Sequence, residues 1–232
     1  TVVNPYIVVA NHNTDFDAIL LGLSFPKHMY YVASEHIFRT EWLRKLMIFL
    51  LDPIPKRKGG ADLNTAMQMA RRLRKGCNIA LFAEGNKSFH GEACPVHPAT
   101  GAMVKAAGAA LITYRLEGGY FTSPRWAHTL RRGEMSGHVI NEYPPEAIAK
   151  MTAEEINAVI AKDIYENAYL SQTEKPVAFH GKRLAEGIQN ALYLCPSCHT
   201  FDSVEGKNDQ VFCRCGLKAT YADTGFLDRK ST

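Results

Sequence analysis

The chain has 232 residues, 46% of them apolar, so it can bury one sizeable core with a small appendage. Its formal net charge of +4 is too weak to argue for nucleic acid and is compatible with an anionic membrane surface or substrate. No signal peptide is visible, and no apolar run reaches the roughly 18–20 residues of a membrane span. The chain opens at Thr1 without Met, which is compatible with a missing upstream segment such as a membrane anchor.

Short apolar runs alternate with helical patterns along the first half of the chain. Tyr6–Asn11 is typical of a buried strand, and Thr14 is the predicted N-cap of the helix that follows it. A second strand is predicted over His28–Ala33, and an amphipathic helix over Ser34–Leu51 with Ser34 as its cap. That helix has two interpretations: it covers the sheet as core, or it lines an acyl tunnel and dips aromatic residues into lipid.

The alternation then continues. The segment "LDPIPKRKGG" is extended, because Pro53 and Pro55 keep it out of a helix. After it, the sequence predicts a helix that ends at Gly76, a buried strand, a small-residue helix that ends at Gly108, and a further strand. Strands that alternate with helices predict an α/β fold, with a mostly parallel sheet flanked by helices on both faces.

The second half of the chain is organised differently. A loop and hairpin are predicted first, and Thr152 with Glu155 then forms a capping box that begins a surface helix, "AEEINAVIAKDIYENAYL". We expect a first domain over residues 1–170, a linker or short helix over 171–191, and a Cys-rich module over 192–232.

The stretch "VVANHNTDFD" holds the first candidates for chemistry, His12 and Asp17. In one interpretation, Asp17 only completes a capping box with Thr14. In the other, Asp17 orients His12 and stabilises its protonated form while the ring takes a proton from a hydroxyl. Glu84 also follows a predicted strand. Because the carboxyl ends of parallel strands share one edge of a sheet, we expect Glu84 in the same site as His12.

Three blocks in fixed order resemble the glycerolipid acyltransferases, the lysophosphatidic acid acyltransferase family. The first block is Asn11-His12 with Asp17, the second is "DPIPKRKGG" with Arg57 at the family's arginine, and the third is "FAEGNKS", which matches Glu-Gly-Thr-Arg-Ser at Glu84, Gly85 and Ser88. The resemblance covers Pro5 to about Gly119. It implies a glycerolipid-acyltransferase-like fold for this part of the chain.

Two positions depart from the family's pattern. Asn86-Lys87 replaces Thr-Arg in the third block, and Lys keeps the positive charge but loses the planar fork that binds phosphate. Thr113 stands in "AALITY" where the fourth block has Pro, which restores a backbone N–H donor. Both departures affect which acceptor and which acyl donor the protein is expected to use. Neither removes the His–Asp pair.

The resemblance implies transfer of a fatty acyl group from a thioester to the hydroxyl of a lysophospholipid such as 1-acyl-glycerol-3-phosphate, a step of phospholipid biosynthesis. The thioester is carried by coenzyme A or acyl carrier protein. His12 is then the general base, Asp17 orients it, and backbone N–H groups at the helix start are candidate oxyanion donors. The residues implied to bind the acceptor are Lys56, Arg57, Glu84, Gly85, Lys87 and Ser88.

Four of the six Cys residues form two close pairs near the C-terminus, which favours a reduced, cytosolic, metal-binding chain over a secreted one with disulfides. "CPSC", fourteen residues and then "CRCG" resemble a zinc ribbon. The predicted ligands of a structural zinc are Cys195, Cys198, Cys213 and Cys215. The alternative is four unpaired thiols in a mobile tail.

Two other functions remain open. In the first, the protein is a zinc-ribbon interaction module whose catalytically altered α/β body binds lipid or a partner. In the second, it is a hydrolase that uses the same dyad on water. For the acyltransferase we expect a peripheral position on the cytoplasmic face of the cell membrane and no nucleic-acid partner.

Overall fold

The computed structural model describes residues 5–34, 45, 53–56 and 63–228. The chain from residue 6 to residue 143 builds a six-stranded sheet in the order β3-β2-β4-β1-β5-β6. Adjacent strands are parallel, except that β6 is antiparallel to β5. The strands are Tyr6–Ala10 (β1), Met29–Ser34 (β2), Ile54–Lys56 (β3), Asn78–Phe82 (β4), Ala110–Glu117 (β5) and Ser136–Tyr143 (β6).

Helices cover the two faces of this sheet, so the predicted α/β class is confirmed. Side chains alternate along β1: Ile7 and Val9 pack on one face with α2, α3 and α6, whereas Tyr6 and Val8 pack on the other with α1. The helices are Asp17–Ser24 (α1), Leu63–Arg74 (α2), Ala99–Ala107 (α3), Gly119–Thr122 (α4), Pro145–Lys150 (α5), Ala153–Asp163 (α6) and Ala168–Glu174 (α7).

Local signals predict some helix ends correctly. Gly108 ends α3 in the left-handed region at φ 64°, and the capping box of Thr152 and Glu155 begins α6. The prediction of Thr14 as an N-cap is wrong, because α1 begins at Asp17 with Phe16 before it. The predicted hairpin is also wrong: α4, a loop and the single strand β6 occupy that segment.

The predicted long helix of the second half divides into α6 and α7 at Asp163. The carboxylate of Asp163 accepts hydrogen bonds from Thr113 Oγ1 and Tyr143 Oη, both at 2.8 Å, and from Asn141 Nδ2 at 3.0 Å. These partners on β5 and β6 hold the end of α6 against the sheet. Asn167 then caps α7 by accepting from the backbone N–H groups of the helix start.

The Cys-rich end of the chain forms a second, antiparallel sheet in the order β10-β9-β8-β7. Its strands are Val204–Lys207 (β7), Gln210–Cys213 (β8), Lys218–Tyr221 (β9) and Leu227–Asp228 (β10). Its core includes Trp126, Leu184, Ala185 and the 3-10 helix residue Ile188 from outside the sheet. The small sheet therefore packs on the preceding segment rather than on itself alone.

The amphipathic helix predicted over Ser34–Leu51 lies outside the described residues, apart from Ser34, which is the last residue of β2, and Lys45, which is helical. Over the described ranges, none of the helices has the length and apolar character that crossing a bilayer requires.

Candidate active site

His12 and Asp17 meet at the carboxyl end of β1. The ring nitrogen Nδ1 of His12 lies 2.8 Å from Oδ2 of Asp17. Since a carboxylate can only accept, in the neutral ring Nδ1 carries the proton and Nε2 the lone pair. The Asp17 side chain is fully buried, whereas that of His12 is 21% exposed. The pair is therefore arranged as a base with its orienting carboxylate, with the base within reach of a substrate.

The loop between β1 and α1 is built around the Asp17 carboxylate. Besides His12, Oδ2 accepts the backbone N–H groups of Asn13 at 2.6 Å and Thr14 at 2.8 Å. The Thr14 N–H bond is half of the capping box considered from the sequence, but the Thr14 hydroxyl accepts from Phe16 rather than from Asp17. Asp17 occupies these two N–H groups, so they are not free to bind an oxyanion. That other backbone N–H groups at the helix start serve as oxyanion donors stays a prediction.

A second set of bonds ties this loop to β5. The side-chain amide of Asn11 donates to the carbonyl of Leu116 at 2.8 Å and accepts from its N–H at 2.7 Å, as a strand residue would. Gly119 lies so close that an added Cβ would sit 3.1 Å from Asn13 and from Thr14. The loop is thus held from both sides, which fixes the position of His12.

Glu84 lies beside His12, as predicted, and binds the backbone. β1 and β4 are parallel neighbours, and beyond their ends Glu84 Oε1 accepts the N–H of His12 at 3.0 Å. Its Oε2 accepts the N–H of Cys94 at 2.7 Å. Burial raises the pKa of Glu84 to about 7. The two hydrogen bonds from backbone N–H groups lower this pKa, but their effect is smaller than that of burial. Glu84 therefore positions the dyad's backbone.

The third sequence block closes the same edge of the sheet. Gly85 takes φ 71°, a conformation that favours glycine. Ser88 is fully buried, and its N–H donates to the carbonyl of His12 at 2.9 Å. Its hydroxyl donates to the backbone carbonyl of Glu92 at 2.7 Å and accepts from the backbone N–H of Gly91. Gly85 and Ser88 thus shape the turn that faces His12.

Lys87 extends to the outer side of the loop. Its Nζ lies 2.8 Å from Asp15, which sits between the two members of the dyad in sequence and is 78% exposed. Arg125, from the loop after α4, donates to the carbonyl of Lys87 at 3.1 Å and lies over the ring of Phe89 at 5.8 Å. The site therefore carries a guanidinium that the sequence blocks did not reveal, because it comes from a distant segment.

Two of the predicted acceptor-binding residues cannot be placed in this site. Arg57 lies outside the described residues, and for Lys56 the structure describes only the backbone, at the end of β3. β3 is the edge strand next to β2, and both β2 and β4 lie between it and β1. The role of both residues in acceptor binding stays a prediction.

Glu166 is a further buried carboxyl that sequence analysis missed. Glu166 lies between α6 and α7 and is only 3% exposed. Its Oε2 accepts a hydrogen bond from Asn13 Nδ2 at 3.3 Å. Burial raises its pKa to about 8, opposed by the Asn13 bond. Only the packing of the second half of the chain against the β1 loop brings it there, so no local pattern indicates it.

The four C-terminal Cys residues converge. Their sulfur atoms all lie within 4.8 Å of one another, and the pairs Cys195–Cys215 and Cys198–Cys213 are 3.8 and 3.7 Å apart. A tetrahedral zinc with Zn–S bonds of about 2.3 Å separates its sulfurs by about 3.8 Å. The donor set and its spacing fit such a zinc site, which favours it over four unpaired thiols.

A model of the Acyltransferase family matches residues 2–117, which is half of the chain. The chain therefore belongs to the acyltransferase family. The match spans β1 to β5 with the dyad, Glu84 and Lys87, and leaves Arg125 and the Cys cluster outside it.

A solved structure with the same fold is the 1-acyl-sn-glycerophosphate (LPA) acyltransferase PlsC from Thermotoga maritima, with a TM-score of 0.58 and 19% identity. The likeness covers 68% of this chain and 63% of that one, and at this identity it shows the fold. No curated protein matches the sequence.

Proposed function

We propose that the protein transfers a fatty acyl group from a thioester to the hydroxyl of a lysophospholipid such as 1-acyl-glycerol-3-phosphate. The observation that carries the proposal is the His12–Asp17 pair, held at 2.8 Å at the sheet edge where the first and third blocks meet. The name of the PlsC structure supports the choice of a glycerophosphate acceptor. Either coenzyme A or acyl carrier protein serves as the thioester carrier.

In this reaction His12 acts as the general base. Nε2 takes the proton of the acceptor hydroxyl as the oxygen attacks the thioester carbonyl, and the thiolate of the carrier leaves with the proton that His12 returns. Asp17 holds the ring in the Nδ1–H tautomer and stabilises the imidazolium that forms. No covalent acyl-enzyme is needed, so no Ser or Cys nucleophile is expected.

The phosphate of the acceptor binds, in this proposal, at Lys87, with Arg57, Lys56 and Arg125 as further cations. Lys87 forms an ion pair with the exposed carboxylate of Asp15. A phosphate carries two negative charges where this carboxylate carries one, so a bound phosphate can replace Asp15 as the partner of Lys87. Glu84, Gly85 and Ser88 act indirectly, by shaping the turn that carries Lys87. The planar guanidinium of Arg125 can bind a phosphate with two N–H groups, which the single ammonium of Lys87 cannot do with the same geometry.

The substrate brings the protein to a membrane. A lysophospholipid with a long acyl chain is concentrated in a bilayer, and the net charge of +4 suits an anionic surface. We therefore propose a peripheral position on the cytoplasmic face of the cell membrane. A structural zinc in the Cys cluster holds the small sheet and takes no part in the reaction.

An acceptor series tests the proposal. Purified protein is given an acyl thioester with lysophosphatidic acid, with monoacylglycerol or with no acceptor, and thiol release and esterified product are both measured. We expect rapid release only with lysophosphatidic acid. Release without an acceptor favours the hydrolase, and no release under any condition favours the catalytically altered binding protein.

Lys87→Met tests the phosphate site. We expect a higher KM for lysophosphatidic acid, by about tenfold for one lost charge-assisted bond, and little change with monoacylglycerol. Lys105→Met, on α3, is the matched control and leaves both values unchanged. Equal effects on the two acceptors would contradict the assignment of Lys87.

A further inference from the structure

A strongly cationic cavity lies away from the dyad. It measures about 330 Å³. The described side chains that line it are Tyr30, Gln68, Arg71, Arg72, Lys75 and Cys77. Three of the six are cations, and no acid is among the lining residues that the structure describes.

The cations come from one face of one helix. Gln68, Arg71, Arg72 and Lys75 are spaced at i, i+3, i+4 and i+7 along α2 and the turn after it, so they form a single stripe. From Leu63 to Arg74, α2 contains no acid. Like charges at this spacing repel one another, by a few tenths of a kcal/mol per pair.

The opposite wall holds the stripe in place. The guanidinium of Arg72 lies 4.3 Å from the centre of the Tyr30 ring, and His28 contacts the same ring at its edge, 5.0 Å between centroids. Cys77, half-buried before β4, completes this wall. The cavity is therefore a shaped pocket rather than a flat patch of surface charge.

The pocket is distinct from the transferase site. Tyr30 is at the start of β2 and Cys77 just before β4, so the pocket lies at the amino edge of the sheet. His12 and Glu84 lie beyond the carboxyl ends of β1 and β4. The five residues of β4 separate the two edges by roughly 15 Å at about 3.3 Å per residue.

We propose that this pocket is a second anion site, which binds a phosphate group that is not the reacting acceptor. The guanidinium of Arg71 and the ammonium of Lys75 offer the charge-assisted donors that a phosphate takes, and the Tyr30 ring holds the Arg72 guanidinium beside them. The phosphate belongs either to a lipid headgroup or to a small soluble phosphate compound. The proposal goes beyond the transferase reaction and does not depend on it.

The cations in the last turn of α2 also have a simpler explanation that needs no ligand, and the test must separate the two. Cations in the last turn of a helix complement its dipole, whatever they face. Arg74 belongs to the same turn of α2 and does not line the pocket. Arg71→Ala and Arg74→Ala thus remove the same charge from the same helix end, and both side chains are exposed, so folding is preserved.

Binding is measured with two probes on the full chain. Inorganic pyrophosphate is titrated by calorimetry, and phosphatidylcholine vesicles with and without phosphatidylglycerol are tested by sedimentation. We expect Arg71→Ala to weaken binding by about tenfold and Arg74→Ala by less than about twofold. If Arg71→Ala weakens the binding of pyrophosphate alone, the pocket binds a soluble phosphate compound. If it weakens the binding of the anionic vesicles alone, the pocket binds a lipid headgroup. If it weakens both, the pocket accepts a phosphate group from both sources.

Cys77 reports on the place of binding. We expect bound pyrophosphate or anionic vesicle to slow alkylation of Cys77, measured by mass spectrometry of its peptide, in the wild type and Arg74→Ala but not in Arg71→Ala. Equal losses in the two variants would overturn the proposal, since they indicate diffuse charge. So would a wild-type protein that binds neither probe, or unchanged alkylation of Cys77 in the presence of a bound probe.

Discussion

At the scale of residues, one carboxylate oxygen organises the loop between β1 and α1. Oδ2 of Asp17 accepts from His12 and from two backbone N–H groups, while Oδ1 is buried without a hydrogen-bond partner among the described residues. Three donors on one buried oxygen complement a full negative charge. That charge is what a protonated His12 needs beside it.

Replacing Asp17 with Asn tests this charge. The amide oxygen can take the place of Oδ2, so the loop keeps its hydrogen bonds and only the charge is lost. We expect kcat to fall by about 10²–10⁴-fold with KM little changed, because the imidazolium loses its counter-charge in the transition state. Steady-state thiol release measures both constants. A variant in which KM rises while kcat is retained would assign Asp17 to binding instead.

Glu166 gives a prediction on pH and stability. Its pKa is raised from 4.5 to about 8 in the folded protein, so between these values the folded state binds more protons than the unfolded state. The free energy of unfolding therefore decreases as pH rises through this window. We expect Glu166→Gln, which cannot ionise, to flatten this decrease by up to a few kcal/mol.

Urea denaturation over that pH range measures the effect. Glu92→Gln, on an exposed neighbouring carboxylate, serves as the control and keeps the wild-type slope. An unchanged slope in Glu166→Gln would show that this carboxyl is not the source of the pH dependence.

At the scale of elements, the junction of β5, β6 and α6 explains one departure from the family. Thr113, which stands where the family has Pro, is fully buried, donates to Asp163 and accepts from the N–H of Asn141 at 3.1 Å. The strand pairing is irregular between Thr113 and Tyr114. The hydroxyl thus supplies a hydrogen-bonding link between sheet and helix that Pro cannot form.

Thr113→Val removes the hydroxyl and keeps the shape. The Asp163 carboxylate then loses a donor and the Asn141 N–H loses an acceptor, so we expect destabilisation by about 1–3 kcal/mol. The double variant with Asp163→Asn should cost less than the sum of the two single changes, because they share a network. Urea midpoints of the four proteins test this, and strict additivity would contradict the network.

Sequence predicts those elements whose signals are local. The His12–Asp17 pair lies within one loop, and the capping box of α6 lies within one turn, so both can be predicted from their own residues. The break at Asp163 depends on Thr113, fifty residues away in sequence. Arg125 and Glu166 likewise reach the site only through tertiary packing, which a single sequence does not reveal.

At the scale of the whole molecule, Arg131 joins the small sheet to the body. Its buried guanidinium lies 5.0 Å from the ring of Trp126 and 4.9 Å from that of Tyr221. It also donates to the carbonyl of Leu184 at 2.6 Å. The small sheet therefore depends on the body on one side, and on the Cys cluster on the other.

Removing zinc tests this dependence. We expect about one zinc per chain by metal analysis, and none in Cys198→Ser, whereas Cys77→Ser keeps the metal. In a Trp42→Phe background, chelation should shift the emission of Trp126 to longer wavelength, because this side chain is only 3% exposed in the core that the small sheet covers. A chain that is zinc-free as purified, or Trp126 emission that chelation leaves unchanged, would contradict a structural zinc.

The central assignment is His12 as the base of an acyl transfer. To test it, thiol release from an acyl thioester with lysophosphatidic acid is compared between the wild type and His12→Ala, with circular dichroism and urea midpoints confirming equal folding. We expect acceptor-dependent release that falls by at least about 10³-fold in the variant. A folded His12→Ala protein that retains most of the wild-type rate would contradict it.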